Sequence, residues 1–353
     1  MPENSGHVIL VGDVNLMNVD DPAVPFRLVG DRLRGADLVF ANLECMLHGP
    51  EPRPDVAEEG FFADPAIGGE ALKRAGIAAV GIANNINYGE AGITGSIACL
   101  DRLGIAHTGA GRGRRAAYAP IVLERDGVRY GFLQRSSVYW STNHEVSETG
   151  TGIAVLRGHT AYQVPMYKTR AGQAPFNRPG IPPEILTWAD RDHLDEFAEN
   201  IAALKAETDI VVASCHWGLR DEVFDYMRQI AHTAIDAGAD LVMGHGPHHP
   251  LPIATYKGRP IFYGVGSFSF HTGHDARQHG DWIGLMITMS IEAKQLRGTT
   301  FSFVRHNAAN ETMPREASDE LAFLEDLTAR SAALGARLTP GEDGVRVEAG
   351  TAS

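Results

Sequence analysis

Short apolar runs that end in polar or small residues recur along the chain: VILVGD (8–13), LVFANLE (38–44), AAVGIANN (78–85), DIVVASCHW (209–217), DLVMGHG (240–246) and PIFYGVGSF (260–268). Runs that are apolar at nearly every position predict strands covered on both faces. Between them, segments 68–76, 93–104, 190–207 and 224–238 carry helical patterns, and most of these stop at a glycine, as helices often do. The stretch 119–138 reads as a hairpin turning at Asp126-Gly127. Alternation of strand, helix and strand predicts a layered α/β fold with central, mostly parallel strands and sites at the strands' C-terminal ends.

Residues 141–189 break this rhythm with Gly150, Gly152, Gly158, Pro165, Gly172, Pro175, Pro179, Pro182 and Pro183. So long an aperiodic stretch is expected to be a functional loop. Its Tyr162, Tyr167, Lys168, Arg170, Phe176, Arg178 and Trp188 suit a lid or substrate wall. After Gly335 the chain looks polar and weakly ordered. The expected organisation is one catalytic domain over 1–335, a lid at 141–189 and a polar tail over 336–353.

The 353 residues carry a formal net charge of −13, which argues against nucleic acid as a partner, because phosphate binding needs a basic face. No basic segment precedes the apolar run Val8–Val11, and no run reaches the length of a membrane span. A cytoplasmic protein without a membrane partner is therefore expected. Cys45, Cys99 and Cys215 are far apart and form no CxxC pair. They read as reduced, buried thiols, with Cys45 and Cys215 packing behind the site.

Five strand ends finish in side chains able to bind a metal: Asp13 with Asn15, Glu44 after Asn42, Asn84-Asn85, His216, and His245 with His248. One alone means little, since a lone histidine is usually packed in the core and an aspartate after a strand usually caps a turn. Delivered from successive strand ends of one sheet, however, oxygen and imidazole donors converge on one crevice, as in hydrolytic metal centres.

The ordered motifs VGDVNLM, ADLVFANLE, GIANN…YGEAGI…LDRLGIAHTGAGR, DIVVASCHWG, DAGADLVMGHGPH and KGRPIFYGVGSFSF resemble those of CapA-type proteins. These belong to the calcineurin-like metallophosphoesterase superfamily and are linked to poly-γ-glutamate capsule synthesis. The resemblance spans roughly residues 8–135 and 205–272. It implies a calcineurin-like metallophosphoesterase fold and, position by position, a metal site of Asp13, Glu44, Asn85, His216, His245 and His248.

Two departures alter the chemistry that the resemblance implies. The first superfamily motif, Asp-x-His, here reads Asp13-Val14-Asn15, and Asn-Asn-His-x-x-Asp-Tyr-Gly is shortened to Asn84-Asn85-Ile86-Asn87-Tyr88-Gly89. The lost motif histidine is the group expected to protonate a leaving group or bind phosphoryl oxygens, worth on the order of 10²–10⁴ in rate.

The remaining oxygen donors favour a divalent Ca²⁺, Mn²⁺ or Mg²⁺, with Zn²⁺ or Fe as alternatives. Asp13, His216, His248 and His271 are the candidate catalytic residues. His271 is the member of SFHTGHDARQHGD closest to its strand end, ahead of His274, Asp275, His279 and Asp281. A cation flanked by imidazoles suits proton removal and return at a Cα. The chain also resembles the soluble, CapA-like peptide epimerases of lasso-peptide gene clusters. That likeness implies inversion at the C-terminal residue of a ribosomal precursor peptide. The peptide carboxylate would meet Arg135, Lys168 or Arg178, and an aromatic side chain would meet Tyr139, Trp140 or Trp217. A CapA-type metallophosphoesterase or hydrolase, and a non-catalytic capsule-assembly protein, are the alternative readings.

Overall fold

The structure is a computed structural model, described for residues 5–49, 60–142, 144–163, 183–218, 221–273 and 282–350. Its strands are β1 (Gly6–Asn15), β2 (Leu38–Leu43), β3 (Ala79–Gly81), β4 (Ala106–Thr108), β5 (Ala110–Arg112), β6 (Ile121–Arg125), β7 (Val128–Ser136), β8 (Thr151–Ile153), β9 (Gly158–Gln163) and β10 (Glu184–Ala189). The second half adds β11 (Ile210–His216), β12 (Leu241–His245), β13 (Ile253–Tyr256), β14 (Arg259–Phe262), β15 (Ser267–Phe270), β16 (Gly284–Glu292), β17 (Gln295–His306), β18 (Thr312–Arg315), β19 (Ala336–Gly341) and β20 (Gly344–Ala349). The helices are α1 (Gly30–Arg34), α2 (Pro65–Ala75), α3 (Glu90–Leu103), α4 (Arg114–Tyr118), α5 (Arg191–Glu207), α6 (Asp225–Asp236) and α7 (Leu321–Ala332).

Two sheets lie face to face. The first runs β19-β20-β17-β16-β1-β2-β3-β4, with β15 also paired to β1 and β18 to β17; the second runs β13-β14-β12-β11-β7-β6. In the first, β1 to β4 and β15 are parallel, flanked by antiparallel β16. In the second, β7, β11, β12 and β14 are parallel, with antiparallel β6 and β13 outside them.

The unbroken apolar run of β1 follows from this sandwich. Val8 and Leu10 point into the layer between the sheets, where they join Phe40, Phe132, Val212, Met243 and Leu285. Ile9 and Val11 point the other way, among Leu33 of α1, Leu72 of α2 and Leu100 of α3. On the far side, Val211 and Ala213 of β11 face Phe197 of α5 and Met227 of α6. Rings from the two sheets meet directly, with Phe40 stacked on Phe132 at 4.9 Å, a geometry worth about 0.5–1.5 kcal/mol beyond area burial. The layered α/β sandwich with parallel central strands is thus the observed architecture.

Two stretches depart from the sequence expectation. Within 141–189 the chain forms β8 and the β9–β10 ribbon, so it is not one continuous loop. The short strands GHTAYQ and EILTWA hide among the glycines and prolines that dominate the local composition. Tyr167, Lys168, Arg170, Phe176 and Arg178 of the expected lid lie outside the described residues. The expected polar tail instead forms β19 and β20, which extend the first sheet through β17. Leu338, Val345 and Val347 alternate with polar neighbours and reach the inter-sheet core, a period of two that marks a half-buried strand. Among the described residues, no helix is long and apolar enough to cross a membrane.

Candidate metal centre

The parallel strands of both sheets end at one rim, which collects the polar strand ends. Asp13 comes from β1, where the register slips against both β2 and β15, a bulge that re-aims the side chain. Glu44 follows β2, and Asn85 lies four residues past β3. His216 and His245 are the last residues of β11 and β12 and are paired in register. His248 stands beyond Gly246-Pro247, with its backbone in the left-handed region at φ 62°. A Cβ at Gly246 would come within 3.2 Å of His216 Nε2, so glycine leaves that ring its space.

Two groups emerge, and Asp13 belongs to both. Asp13, His216 and His245 place one ligand atom each within 4.8 Å of one another, and so do Asp13, Glu44 and His248. Asp13 Oδ1 lies 3.7 Å from His245 Nδ1, Asp13 Oδ2 lies 3.1 Å from His248 Nδ1, and Glu44 Oε1 lies 3.8 Å from His248 Nε2. His216 Nδ1 is 3.0 Å from His245 Nδ1, and His216 Nε2 is 2.8 Å from Asn85 Oδ1. Asn85 thereby joins the edge of the cluster.

The electrostatics fit a cation. Burial pushes the Asp13 carboxyl up, but the His248 contact and the charges of His248, His245 and His216 outweigh it and hold Asp13 below the ordinary carboxylate range. Glu44 moves the opposite way, well above its usual value, through burial and then the neighbouring Asp13 charge. Burial lowers His245 to about 4 and holds His216 well below its ordinary value. Glu44 Oε2 is buried without a hydrogen-bond partner among the described residues, and such a group costs about 1–3 kcal/mol unless something compensates it. A divalent ion among two carboxylates and three imidazoles would do so, and these donors are ones that divalent metals accept.

Amides form a layer behind the ligands that sequence reasoning did not assign. Asn42 Nδ2 donates to Asp13 Oδ1 at 2.8 Å, and Gln134 Nε2 donates to Asn42 Oδ1 at 2.8 Å. Gln134 reaches this point from β7 of the other sheet, over Gly81, where a Cβ would lie only 1.6 Å from Gln134 Oε1. A lone glutamine in the otherwise apolar core of YGFLQ was the available signal, since a buried polar side chain on a strand needs a partner.

Several expected residues have other engagements. Asn15 donates Nδ2 to Thr272 O at 2.6 Å and accepts from Met17 N, so its amide secures the chain. Asn84 Oδ1 accepts from Ile86 N, Asn87 N and Asn87 Nδ2, which knits the shortened loop upon itself. Ile86, where the motif histidine would stand, is buried in the core. His271 lies outside both triads, with Nδ1 2.6 Å from His306 Nε2, while His274, Asp275, His279 and Asp281 lie outside the described residues.

Arg135 does not line an open pocket. It is buried, bonded to Gln134 O, Tyr118 O and Asn200 Oδ1, and set over the Tyr118 ring. Trp217 is core, with Nε1 donating to Tyr263 O. Trp140 is partly buried and donates Nε1 to Asn85 O at 2.8 Å, which supports the site loop from behind. Nearby, buried His144 receives Trp140 N on Nδ1 and bonds Asn87 O through Nε2. Burial pushes the Cys45 thiol up to about 12 and raises Cys215 as well, so neither is a poised nucleophile.

Known proteins extend this picture. An uncharacterized protein of Sinorhizobium fredii is 27% identical over 307 residues, covering 74% of this chain and 66% of that protein. The "Probable polyglutamine synthesis accessory protein" of Mycobacterium tuberculosis is 32% identical over 197 residues, 52% of this chain and 43% of the relative. The "Capsule biosynthesis protein CapA" of Bacillus anthracis is 26% identical over 254 residues, covering 70% and 54%. The chain thus spans 66% or less of the length of these relatives. A crystal structure of a hypothetical protein from Thermus thermophilus aligns with a TM-score of 0.47 at 17% identity, over 85% of this chain and 100% of that one. Residues 6–272, which include every member of both triads, match the bacterial capsule synthesis protein family PGA_cap, and the chain belongs to that family.

Proposed function

We propose that the protein is a metal-dependent hydrolase of the phosphoester class, acting in the assembly or trimming of a capsule-type polymer. The observation that carries this reading is the sharing of Asp13 by two ligand triads, so that Asp13, Glu44, His216, His245 and His248 would hold divalent metal there. Metal held there would supply Lewis acidity for hydrolysis. Three imidazoles beside two carboxylates support Mn²⁺, Fe²⁺ or Zn²⁺ over Ca²⁺. The capsule setting rests on the family and on the CapA relatives.

The shortened asparagine loop narrows the substrate class. With Ile86 buried and Asn84 and Asn87 bonded to the loop itself, no imidazole of that loop can protonate a departing oxygen. Substrates whose leaving group departs as a stable anion suit this site: a phosphoanhydride, an acyl phosphate or an aryl phosphate. Alkyl esters need the missing proton and should lag by about 10²–10⁴.

Peptide epimerisation has less support. It needs bases on opposite faces of a Cα, yet His216 is tied to His245 and Asn85, and His271 is bonded to His306. Assays of the Mn²⁺-loaded protein on matched aryl and alkyl phosphates test the hydrolase, with fast aryl hydrolysis expected. Peptides incubated in D₂O test the alternative, and deuterium at Cα without cleavage would favour the epimerase. Inertness in both would leave a non-catalytic role in capsule assembly.

A further inference from the structure

Residues 137–142 and His144 join the metal rim to the rest of the fold at two fixed points. At one end Ser137 N donates to His216 O at 2.8 Å. At the other, His144 O accepts from Ile153 N at 2.9 Å, and Ile153 belongs to β8, which pairs with β5. Between these points the segment is bonded to the shortened asparagine loop. Trp140 Nε1 donates to Asn85 O at 2.8 Å, and His144 Nε2 donates to Asn87 O at 2.8 Å. His144 Nδ1 accepts from Trp140 N at 3.0 Å, so each ring nitrogen holds a backbone group, one in the segment and one in the loop. Tyr88 completes the joint: its hydroxyl donates to Thr142 O at 2.9 Å, and its ring lies edge-on to those of Trp140 and His144, at 6.0 and 5.1 Å.

The joint fixes one member of the centre from behind. Asn84 Nδ2 and Asn87 Nδ2 donate to Leu43 O at 2.9 and 3.0 Å, which ties the loop to the end of β2 on both sides of Asn85. Neither bond involves Asn85 itself. The backbone of that residue is set through Trp140, and its Oδ1 lies 2.8 Å from His216 Nε2. The same segment, through Ser137, holds the backbone of His216. One stretch of chain therefore places both partners of the Asn85–His216 contact. A loop ordered in advance spares metal binding the entropy of ordering it.

We propose that Trp140 is a positioning residue, seated by His144, that holds the Asn85 amide in place at the metal centre. The inference rests on the metal-centre reading of the proposed function, not on the identity of the substrate.

Calorimetric titration of the metal-free full chain with Mn²⁺ tests it through a double-mutant cycle. Trp140→Phe keeps an aromatic ring beside Tyr88 but removes the N–H that reaches Asn85 O. It should weaken Mn²⁺ binding by about tenfold, the lower end of what losing a partner behind the ligands costs. Asn85→Ala should weaken it at least as much. That variant keeps the carbonyl to which Trp140 donates, so adding Trp140→Phe to it should cause no further loss. A merely structural role for Trp140 would instead multiply the two losses. His144→Ala should match Trp140→Phe, and His144→Gln, which still carries a donor for Asn87 O, should recover part of the loss. Wild-type affinity in Trp140→Phe, or multiplied losses in the double variant, overturns the inference alone. Should Trp140→Phe fail to fold, the cycle of His144→Ala with Asn85→Ala decides it in the same way. Absence of Mn²⁺ binding by the wild type would overturn the metal-centre reading and this inference with it.

Discussion

His248 Nδ1 stands 3.1 Å from Asp13 Oδ2, with the carboxylate fully buried and the imidazole side chain 27% exposed. Its backbone adopts a conformation that non-glycine residues take only under constraint. Asp13 serves both triads while His248 serves one, so their substitutions should differ in kind. Asp13→Asn should abolish retention of both ions, and His248→Ala should leave one half occupied at high metal. Metal content after dialysis checks this. The loss in Asp13→Asn should exceed the 10–100-fold in affinity that removing an outer-shell partner usually costs.

Glu44→Gln should separate stability from binding. The carboxyl is pushed well above its ordinary value by burial and by Asp13, so above the ordinary carboxylate range it costs the metal-free fold stability. The amide should raise the metal-free melting temperature, by the equivalent of about 1–3 kcal/mol, and weaken cation binding. A lower melting temperature together with unchanged affinity would remove Glu44 from the centre.

Acid should unfold the metal-free protein in a definite window. His245 and His144 are both lowered to about 4, chiefly by burial, and His216 is lowered well below its usual value. The folded state keeps these rings neutral while the unfolded chain protonates them. For His245 and His144 the stabilising contribution is therefore present above about pH 6.5 and is lost as pH falls toward about 4, at roughly 1.4 kcal/mol per pH unit each, and His216 acts in the same direction. Glu44, with its raised value, gains stability over part of the same range, so three imidazoles oppose one carboxyl. Denaturant midpoints measured between pH 7 and 4 should fall steadily, and His144→Phe should flatten the slope by about one histidine's share.

Restoring the motif histidine should not restore its chemistry. Ile86 packs among Leu43, Ile82 and Ile93 in the core, and the loop that would carry an imidazole outward is two residues shorter than the family pattern. Ile86→His should cost about 2–4 kcal/mol through lost packing and a buried polar ring. It should leave the ratio of aryl to alkyl phosphate hydrolysis unchanged. A selective gain on alkyl esters would mean that position 86 still faces the substrate.

The parts of the molecule legible in the sequence are those whose chemistry is local. Val8–Val11 is apolar on both sides of β1 because it is covered on both sides, and Asp13, Glu44, His216 and His245 declare themselves by ending such runs. Less legible were features settled by distant partners. Gln134 finds its role only where β7 passes over Gly81 of the opposite sheet. Asn15 offers a ligand-like amide, yet Thr272, 257 residues away, claims it. The period-two pattern of β19 and β20 was masked by charged residues on the outer face, although Leu338, Val345 and Val347 reach the core.

The placement of β1 also governs how the chain can assemble. Residues Gly6–Asn15 lie between β2, which follows soon after, and β16, whose pairing partners are Met286–Ile291. One edge of this central strand therefore stays open until residues Met286–Ile291 are available to cover it. Unpaired apolar edges invite wrong partners, and closing so distant a contact is slow. Closure of the first sheet thus waits on a contact between segments far apart in sequence, β1 and β16.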